Sequence, residues 1–350
     1  MNNKRLTYLD LAKGIGIILV VLGHLEYISE NVRGFISAFH MPLFFVVSGI
    51  LMALKDETSS DLKVILSKKA RGLLIPYMWF SLIYIPIDIM NVLIHHIDMN
   101  TFIFNIISSV IFSGVGVLWF LPALFIAEVN AFLLIKKLKK SYIVIILSAI
   151  LSILLYLLVS LFIPMTEPVM ANIPVYIVSG IARVIFRGLI ASIFVVAGYY
   201  SYTWLLGKKE SFSIMQLIAG IIMMIITVLL FGINGCVDYH YLILKNYALY
   251  FPLAIIASLG VVLICKNIYP LSLIEFFGKN SLIIMATHVQ CYILYIAIKL
   301  SELVSGILGQ VSIALALFIL SIMIMVFLIE SIIILVINRF FPFVIGKRKK

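Results

Sequence analysis

The sequence predicts an all-α, polytopic membrane protein with about ten transmembrane helices. Composition is the first reason: 64% of the 350 residues are hydrophobic, only 12% are charged, and the mean hydropathy is +1.21. These values lie far from those of soluble globular domains. The second reason is that the apolar residues are grouped in long stretches, and the third is that the basic residues lie between those stretches.

The apolar stretches define the predicted helices in order. A helix needs roughly 20 mostly apolar residues to cross the hydrocarbon core of a membrane. Ten stretches meet this condition: 11–29, 35–54, 73–95, 115–135, 141–163, 181–206, 213–232, 247–265, 281–299 and 309–337. Residues 101–113 are apolar but too short to cross, and residues 268–280 are predicted to form a cytoplasmic connection or a half-helix.

The basic residues predict the orientation, because short loops rich in lysine and arginine stay in the cytoplasm. With both termini inside, 20 of the 26 basic residues fall in cytoplasmic segments, and the outer loops hold only Arg33, Lys245 and Lys299. The net charge of +11 is therefore a topology signal, and no nucleic-acid partner is expected. We predict one transmembrane domain over residues 1–340 and a basic cytoplasmic tail over residues 341–350.

The first predicted helix carries ionisable residues, which are energetically costly to place inside a membrane. Lys13 and His24 are eleven residues apart, which places them on one helical face and about 16 Å apart along the axis. Asp10 lies one turn before Lys13. Such residues usually face a protein interior, a partner or a water-filled cavity. A purely structural interpretation also remains open. In it, Lys13 extends to the membrane surface and His24 forms a hydrogen bond with a neighbouring helix.

Other polar residues fall in or beside later spans. His40 precedes Pro42 at the predicted start of the second span, and Trp119 is followed by the mid-span Glu128. A glutamate at that depth either pairs with a buried cation or stays protonated. His288 follows Asn280 and Ser281 well inside a span, where a proton-relay, hydrogen-bonding or catalytic role is open.

Two basic groups have both a functional and a structural interpretation. Lys68, Lys69 and Arg71 meet the start of the third span, where they either bind phosphates or simply retain the loop in the cytoplasm. Arg183 and Arg187 share a helical face near the outer surface, as a site for an anionic or sugar acceptor or as an interfacial anchor. His95, His96 and Asp98 form a small group in an outer loop, but adjacent histidines cannot both bind one metal ion easily, so no metal site is predicted.

Five segments together resemble the acyltransferase-3 family of bacterial integral membrane proteins, especially its fucose O-acetylase-like branch. The most specific is the spacing of a basic residue, ten residues and a histidine, matched by Lys13 and His24. The others are FHMPLFFVVSG around His40, the paired basic motif at Lys68 and Arg71, LWFL around Trp119, and GKNSL before His288. The resemblance covers nearly the whole chain.

The resemblance implies acyl transfer from acetyl-coenzyme A, or a related acyl-coenzyme A, to a hydroxyl of a glycan, a lipid-linked sugar or a small molecule. It implies a bacterial cytoplasmic membrane location, glycan-assembly enzymes as partners, and no metal. His24 becomes the general base or a transient acyl acceptor, assisted by Glu128, His40 and His288. The predicted donor-binding residues are Lys13, Lys68, Lys69 and Arg71. The predicted acceptor-side residues are Asp10, Trp119, Arg183, Arg187, Asn280 and Ser281.

Lysine stands at positions 13 and 68, where arginine is commoner in the family, and lysine cannot make arginine's planar contact with phosphate.

A secondary transporter of a small polar solute such as an amino acid is the alternative function, because charges within a membrane also mark substrate paths. A glycan polymerase or flippase is a weaker alternative, because its larger outer loops are missing here.

Overall fold

The computed structural model describes residues 7–138, 140–162, 172–206, 212–307 and 315–347. Its α-helices, in chain order, are α1 (Thr7–Gly23), α2 (Glu30–Ser37), α3 (His40–Leu54), α4 (Leu62–Lys69), α5 (Ile75–Leu93), α6 (Met99–Val110), α7 (Phe120–Leu138), α8 (Ser141–Phe162), α9 (Ile173–Ser201), α10 (Ile214–Asn234), α11 (Tyr247–Asn267), α12 (Ser272–Lys279), α13 (Ser281–Thr287), α14 (Ile293–Ile307) and α15 (Leu315–Phe340). No β-strand occurs in these ranges, so the predicted all-α fold is confirmed.

Eight helical stretches within the described ranges are long and apolar enough to cross a membrane. They are Glu30–Leu54, Leu62–Leu93, Gly116–Leu138, Ser141–Leu161, Ile173–Leu205, Ile214–Asn234, Tyr247–Asn267 and Leu315–Phe340. Each overlaps a predicted span. The chain is therefore a multi-pass membrane protein built as a helical bundle, because the backbone of a helix satisfies its own polar groups in lipid.

Two predicted spans differ from the structure. The first helix ends at Gly23, and the chain from His24 to Ser29 forms turns rather than helix. The predicted span 281–299 is interrupted between α13 and α14, where Tyr292 adopts a positive φ of 60°. The amide of Leu294 there donates to the carbonyl of His288, over 2.8 Å, in place of a helical partner.

Two shorter predictions are confirmed. Residues 101–113 correspond to α6, which has 12 residues and does not span. The half-helix expected within residues 268–280 is α12.

The short helix α12 lies directly against α1 at two glycines. A Cβ atom on Gly278 would lie 1.8 Å from the carbonyl oxygen of Asp10, and one on Gly14 would lie 2.1 Å from that of Ile274. Only glycine allows this approach.

A second close contact joins α3 to α9 in the centre of the bundle. A Cβ on Gly49 would lie 1.9 Å from the carbonyl oxygen of Val195, and one on Gly198 would lie 2.0 Å from that of Val46. Small residues of this kind let membrane helices pack backbone to backbone. These contacts bring α3 and α9 together. His40 is the first residue of α3, and Arg183 and Arg187 lie on α9.

Part of the predicted tail is structured. Residues Pro342–Ile345 form a short 3-10 helix, and the ring of Phe343 lies 5.0 Å from that of Trp79 on α5. The predicted cytoplasmic residues Lys4, Arg5, Lys139, Lys208 and Lys209, together with the last three residues of the tail, lie outside the described residues.

Candidate active site

A cavity of about 670 Å³ lies along α1. Lys13 lines it near one end of that helix, and His24 lines it just beyond the other end. The wall between them includes Ile17 and Val20 from α1 and Phe44 from α3. The volume is typical of pockets that enclose a small-molecule ligand. The face predicted from the eleven-residue spacing is therefore a cavity wall.

At the Lys13 end, which we term the cation end (Lys13, Lys55, Lys68 and Lys69), most charges are paired. The ammonium group of Lys13 lies 2.8 Å from the carboxylate of Asp10, one turn earlier. The ammonium group of Lys69 lies 2.8 Å from Glu57 and 3.2 Å from Glu128, which lines the cavity. The predicted mid-span glutamate thus pairs with a buried cation.

Ser48 adds to the environment of Glu128, because its hydroxyl donates a hydrogen bond to the carboxylate. The side chains of Glu57 and Lys69 are 3% and 12% exposed, so this ion pair is largely removed from solvent. Burial alone would raise the pKa of Glu57, but the ammonium groups of Lys69 and Lys68 outweigh burial and hold it below its usual value. Lys69 therefore forms ion pairs with two carboxylates, those of Glu57 and Glu128.

Two cations at this end are less constrained. Lys68 contacts Glu57 over 2.7 Å, and its side chain is about half exposed at 49%. Lys55, just after α3, has no carboxylate within 4 Å in the described part of the chain. Burial, followed by the positive charges of Lys68, Lys69 and Lys13, lowers the pKa of Lys55. These two lysines leave positive charge that an anionic ligand can use.

At the opposite end, three histidines lie together, and we term this cluster the imidazole end (His24, His40 and His288). His24 is solvent accessible because its side chain faces the cavity. Its ring centre lies 5.1 Å from that of His288, at 58° between the ring planes. His40, at the first position of α3, lines the same end.

The tautomers of the two neighbours follow from their contacts. Nδ1 of His288 lies 2.8 Å from the carbonyl oxygen of Ile284, and Nδ1 of His40 lies 2.8 Å from that of Ile36. A carbonyl only accepts, so each Nδ1 carries the hydrogen and each neutral ring presents Nε2 as an acceptor. Nε2 of His288 is buried without a hydrogen-bond partner in the described ranges.

The loop from Gly235 to Asn246 closes the imidazole end. Its residues Asp238, Tyr239, His240 and Tyr241 line the cavity. Hydrogen bonds between the backbones of Asp238 and Ile243, over 3.0 and 2.8 Å, hold the loop in a compact turn. Burial, followed by the guanidinium groups of two nearby arginines, lowers the pKa of His240 to about 2. His240 is therefore uncharged at neutral pH.

Arg187, which lies outside the cavity lining, holds this loop in place. Its Nε donates to the carbonyl of His240 over 2.6 Å, and its guanidinium carbon lies 5.3 Å from the ring centre of Trp119. The Trp119 ring in turn stacks on the rings of Tyr239 and His240, at 6.0 and 5.5 Å. Arg183 lies over Tyr241, 5.7 Å from its ring centre. Both arginines are buried, so neither lies at a lipid interface.

The structure thus divides the predicted residues into two groups. Those that line the cavity are Lys13, His24, His40, Trp119, Glu128 and Ser281. Those that lie outside its lining are Asp10, Lys68, Lys69, Arg71, Arg183, Arg187, Asn280 and His288. Arg71 is exposed, and Asn280 accepts a hydrogen bond from Asn338 over 2.9 Å. Their predicted roles in binding or catalysis remain predictions.

The structure also adds residues that sequence reasoning missed. Lys55 and Glu57 belong to the cation end, and Arg33 and Asp238 line the imidazole end. For Asp238, the signal available in the sequence was the concentration of aspartate, histidine and tyrosine residues in the short loop CVDYHY. In the described ranges, no three or more His, Cys, Asp or Glu side chains converge to hold a metal ion.

Comparison with known proteins agrees with this arrangement. A family profile described as an acyltransferase domain matches residues 6–335, which is nearly the whole chain. Comparisons with curated proteins and with solved structures give no significant match. Members of the matched family are acyltransferases, so the chain is an enzyme of that class. This membrane protein, whose cavity is lined by Lys13 at one end and by His24 and His40 at the other, belongs to the acyltransferase-3 family.

Proposed function

We propose that the protein is a membrane O-acyltransferase that moves an acetyl group from acetyl-coenzyme A, or a similar thioester, to a hydroxyl. The acceptor is a cell-surface glycan, a lipid-linked sugar or a small molecule, handled at a bacterial cytoplasmic membrane beside glycan-assembly enzymes. One observation carries the proposal: a single cavity contacts both Lys13 and His24. A donor bound at one end can therefore present its thioester at the other.

The cation end supports donor binding. A pantetheine arm is long enough to bridge the axial distance of about 16 Å between Lys13 and His24. The apolar wall between them suits such a slender chain. Lys55 and Lys68 supply positive charge for the phosphates, because neither is enclosed between two carboxylates as Lys69 is. Charge-assisted contacts of this kind are among the stronger polar interactions.

The imidazole end supports the chemistry. The acceptor hydroxyl attacks the thioester carbonyl while His24 takes its proton. The carbon–sulfur bond then breaks, and the departing thiolate receives a proton from the imidazolium. His288 acts on His24 from outside the cavity, since the centres of the two rings are 5.1 Å apart and Nε2 of His288 has no hydrogen-bond partner in the described ranges. His40 contributes a second Nε2 acceptor at the same end.

The acetyl group is favoured over longer acyl chains by the motifs shared with the fucose O-acetylase-like branch. An amino-acid transporter gains no support from the family match, which is to an acyltransferase domain. A transporter would also move its substrate without any acyl donor. Labelled amino-acid uptake into proteoliposomes that lack donor would therefore contradict the acyltransferase proposal.

The proposal is tested by following labelled acetyl from acetyl-coenzyme A into glycan, lipid-linked sugar and small-molecule fractions of membranes that contain the protein. We expect His24→Gln to lower the rate of transfer by about 10²- to 10⁴-fold, the usual contribution of a general base. His96→Gln is the matched control, because His96 is exposed on a loop away from the cavity. Transfer at the normal rate by a folded His24→Gln variant would refute the role of His24.

A further inference from the structure

Arg33, on the short helix α2, holds the segment that carries His24. Its Nη1 donates to the carbonyl oxygen of Gly23 over 3.2 Å, and its Nη2 donates to that of Leu25 over 3.1 Å. These carbonyls belong to the residues immediately before and after His24. The planar guanidinium therefore spans the backbone on both sides of the imidazole-bearing residue.

The local backbone explains why this contact matters. Helix α1 ends at Gly23, so its last carbonyls have no partner further along the helix. The amides of His24 and Leu25 donate to Val21 and Leu22, over 3.2 and 3.1 Å, in a turn tighter than an α-helix. A cation at the carboxyl end of a helix also interacts favourably with the helix dipole. Arg33 supplies both the missing donors and the charge.

Arg33 itself is held in place and belongs to the site. Ser29 caps the start of α2, because its hydroxyl accepts a hydrogen bond from the amide of Val32. The side chain of Arg33 lines the same cavity end as His24. Glu30 lies 3.7 Å from its Nε, but the Glu30 side chain is 83% exposed and therefore a weak partner. The two backbone carbonyls are the stronger contacts.

We propose that Arg33 is a positioning residue for acyl transfer, which fixes the turn that carries His24 so that the imidazole faces the cavity. The proposal rests on the role assigned to His24 above. Without the two contacts, the turn is free to shift. Because misplacement of a catalytic group by about 1 Å can cost about 10²-fold in rate, the main loss should appear in kcat.

The same geometry predicts an effect on the protonation of His24. The charged or titratable groups that surround it are Arg33 from α2, Asp238 from the closing loop, His40 from α3 and His288 at the end of α13. Arg33 is the only permanent cation among these four. Removing its charge makes protonation of the His24 ring easier, so a pH profile that reports the neutral ring should move to higher pH.

The experiment uses the full-length protein in nanodiscs and compares Arg33→Lys, Arg33→Gln and the control Glu30→Gln. Activity assays give kcat and KM, and carbethoxylation by diethyl pyrocarbonate gives the fraction of neutral His24, located by peptide mass spectrometry over a range of pH. We expect Arg33→Gln to lose about 10²-fold in kcat and to move the modification profile to higher pH. Arg33→Lys should lose less kcat and keep the profile, and Glu30→Gln should match the parent protein in both.

An Arg33→Gln variant with unchanged kcat and an unchanged modification profile would overturn the proposal. If that variant does not fold, Arg33→Lys decides, because lysine keeps the charge but not the planar pair of donors; an unchanged kcat would then overturn the proposal. Modification of His24 needs no acyl transfer. A shifted profile in a protein whose His24→Gln variant stays active would refute the catalytic role of His24 while leaving the contact between Arg33 and the His24 turn intact.

Discussion

The two ends of the cavity differ in how their polar groups are satisfied. At the cation end, Lys69 lies between Glu57 and Glu128, and Lys13 pairs with Asp10. At the imidazole end, His40 and His288 donate to backbone carbonyls, and Nε2 of His288 has no hydrogen-bond partner in the described ranges. Ion pairs hold Lys13 and Lys69 at one end, whereas the other end holds a ring nitrogen without a hydrogen-bond partner in the described ranges.

The difference indicates that the two ends of the cavity have different functions. Buried ion pairs are costly to break but attract little further charge, so the cation end combines structural pairs with the less constrained Lys55 and Lys68. Unpartnered ring nitrogens favour proton transfer, because their lone pairs remain available. We therefore expect changes at the cation end to alter stability and donor affinity. Changes at the imidazole end should alter the rate of the chemical step.

The largest effect on stability is expected from removing both acids around Lys69. The double variant Glu57→Gln, Glu128→Gln leaves the largely buried ammonium group without a carboxylate and should lower the free energy of unfolding by about 3–5 kcal/mol. Denaturation in detergent micelles measures this change. Glu302→Gln is the control, because the pair of Lys299 with Glu302 is about half exposed and should cost less than about 1 kcal/mol. If the double variant were as stable as Glu302→Gln, the ion pairs of Lys69 with Glu57 and Glu128 would have no structural role.

A smaller effect separates the two ends directly. Lys55→Gln should raise the KM for the thioester donor about tenfold, because one partly screened charge contact is worth about 1.4 kcal/mol, while kcat stays unchanged. Steady-state kinetics with varied donor measures both constants. Lys245→Gln, which removes an exposed cation from the loop at the other end, should leave the donor KM unchanged. A fall in kcat without a change in KM for Lys55→Gln would remove Lys55 from the donor site.

The smallest effect concerns acid stability. The folded-state pKa of Glu57 is lowered, so its contribution to stability is fully present above the ordinary value of 4.5 and is lost as the pH falls from there through the folded value. The parent protein should therefore lose thermal stability more steeply than Glu57→Gln below about pH 4.5. Thermal unfolding followed from pH 7 to pH 3.5 tests this. Parallel curves for the two proteins would show that the ion pairs of Glu57 contribute nothing measurable.

Much of the fold was predictable because hydropathy depends on local composition. The shared face of Lys13 and His24 followed from helix geometry alone, and the half-helix followed from a short apolar stretch. The interruption after His288 was not predictable, since residues 281–299 contain no glycine or proline. Thr287, the last residue of α13, donates to the carboxylate of Glu330 over 2.9 Å, which is a tertiary contact that a single sequence does not show.

The charge pairs were only partly predictable for the same reason. A buried partner for Glu128 was one of two expectations, but Lys69 lies 59 positions earlier in the sequence and nothing local connects them. Arg33 was counted only as an outer-loop cation, because its two acceptors are backbone carbonyls. Side-chain patterns in a sequence do not reveal such contacts.

The position of Trp119 gives the protein a natural optical probe. The chain has three tryptophans, and Trp79 and Trp204 are 38% and 60% exposed on the outside of the bundle, whereas Trp119 is 8% exposed and lines the cavity. Quenchers dissolved in the lipid should suppress the emission of the two outer indoles first. The remaining fluorescence then reports on the interior, so ligand entry can be followed in the unlabelled enzyme even before its acceptor is identified.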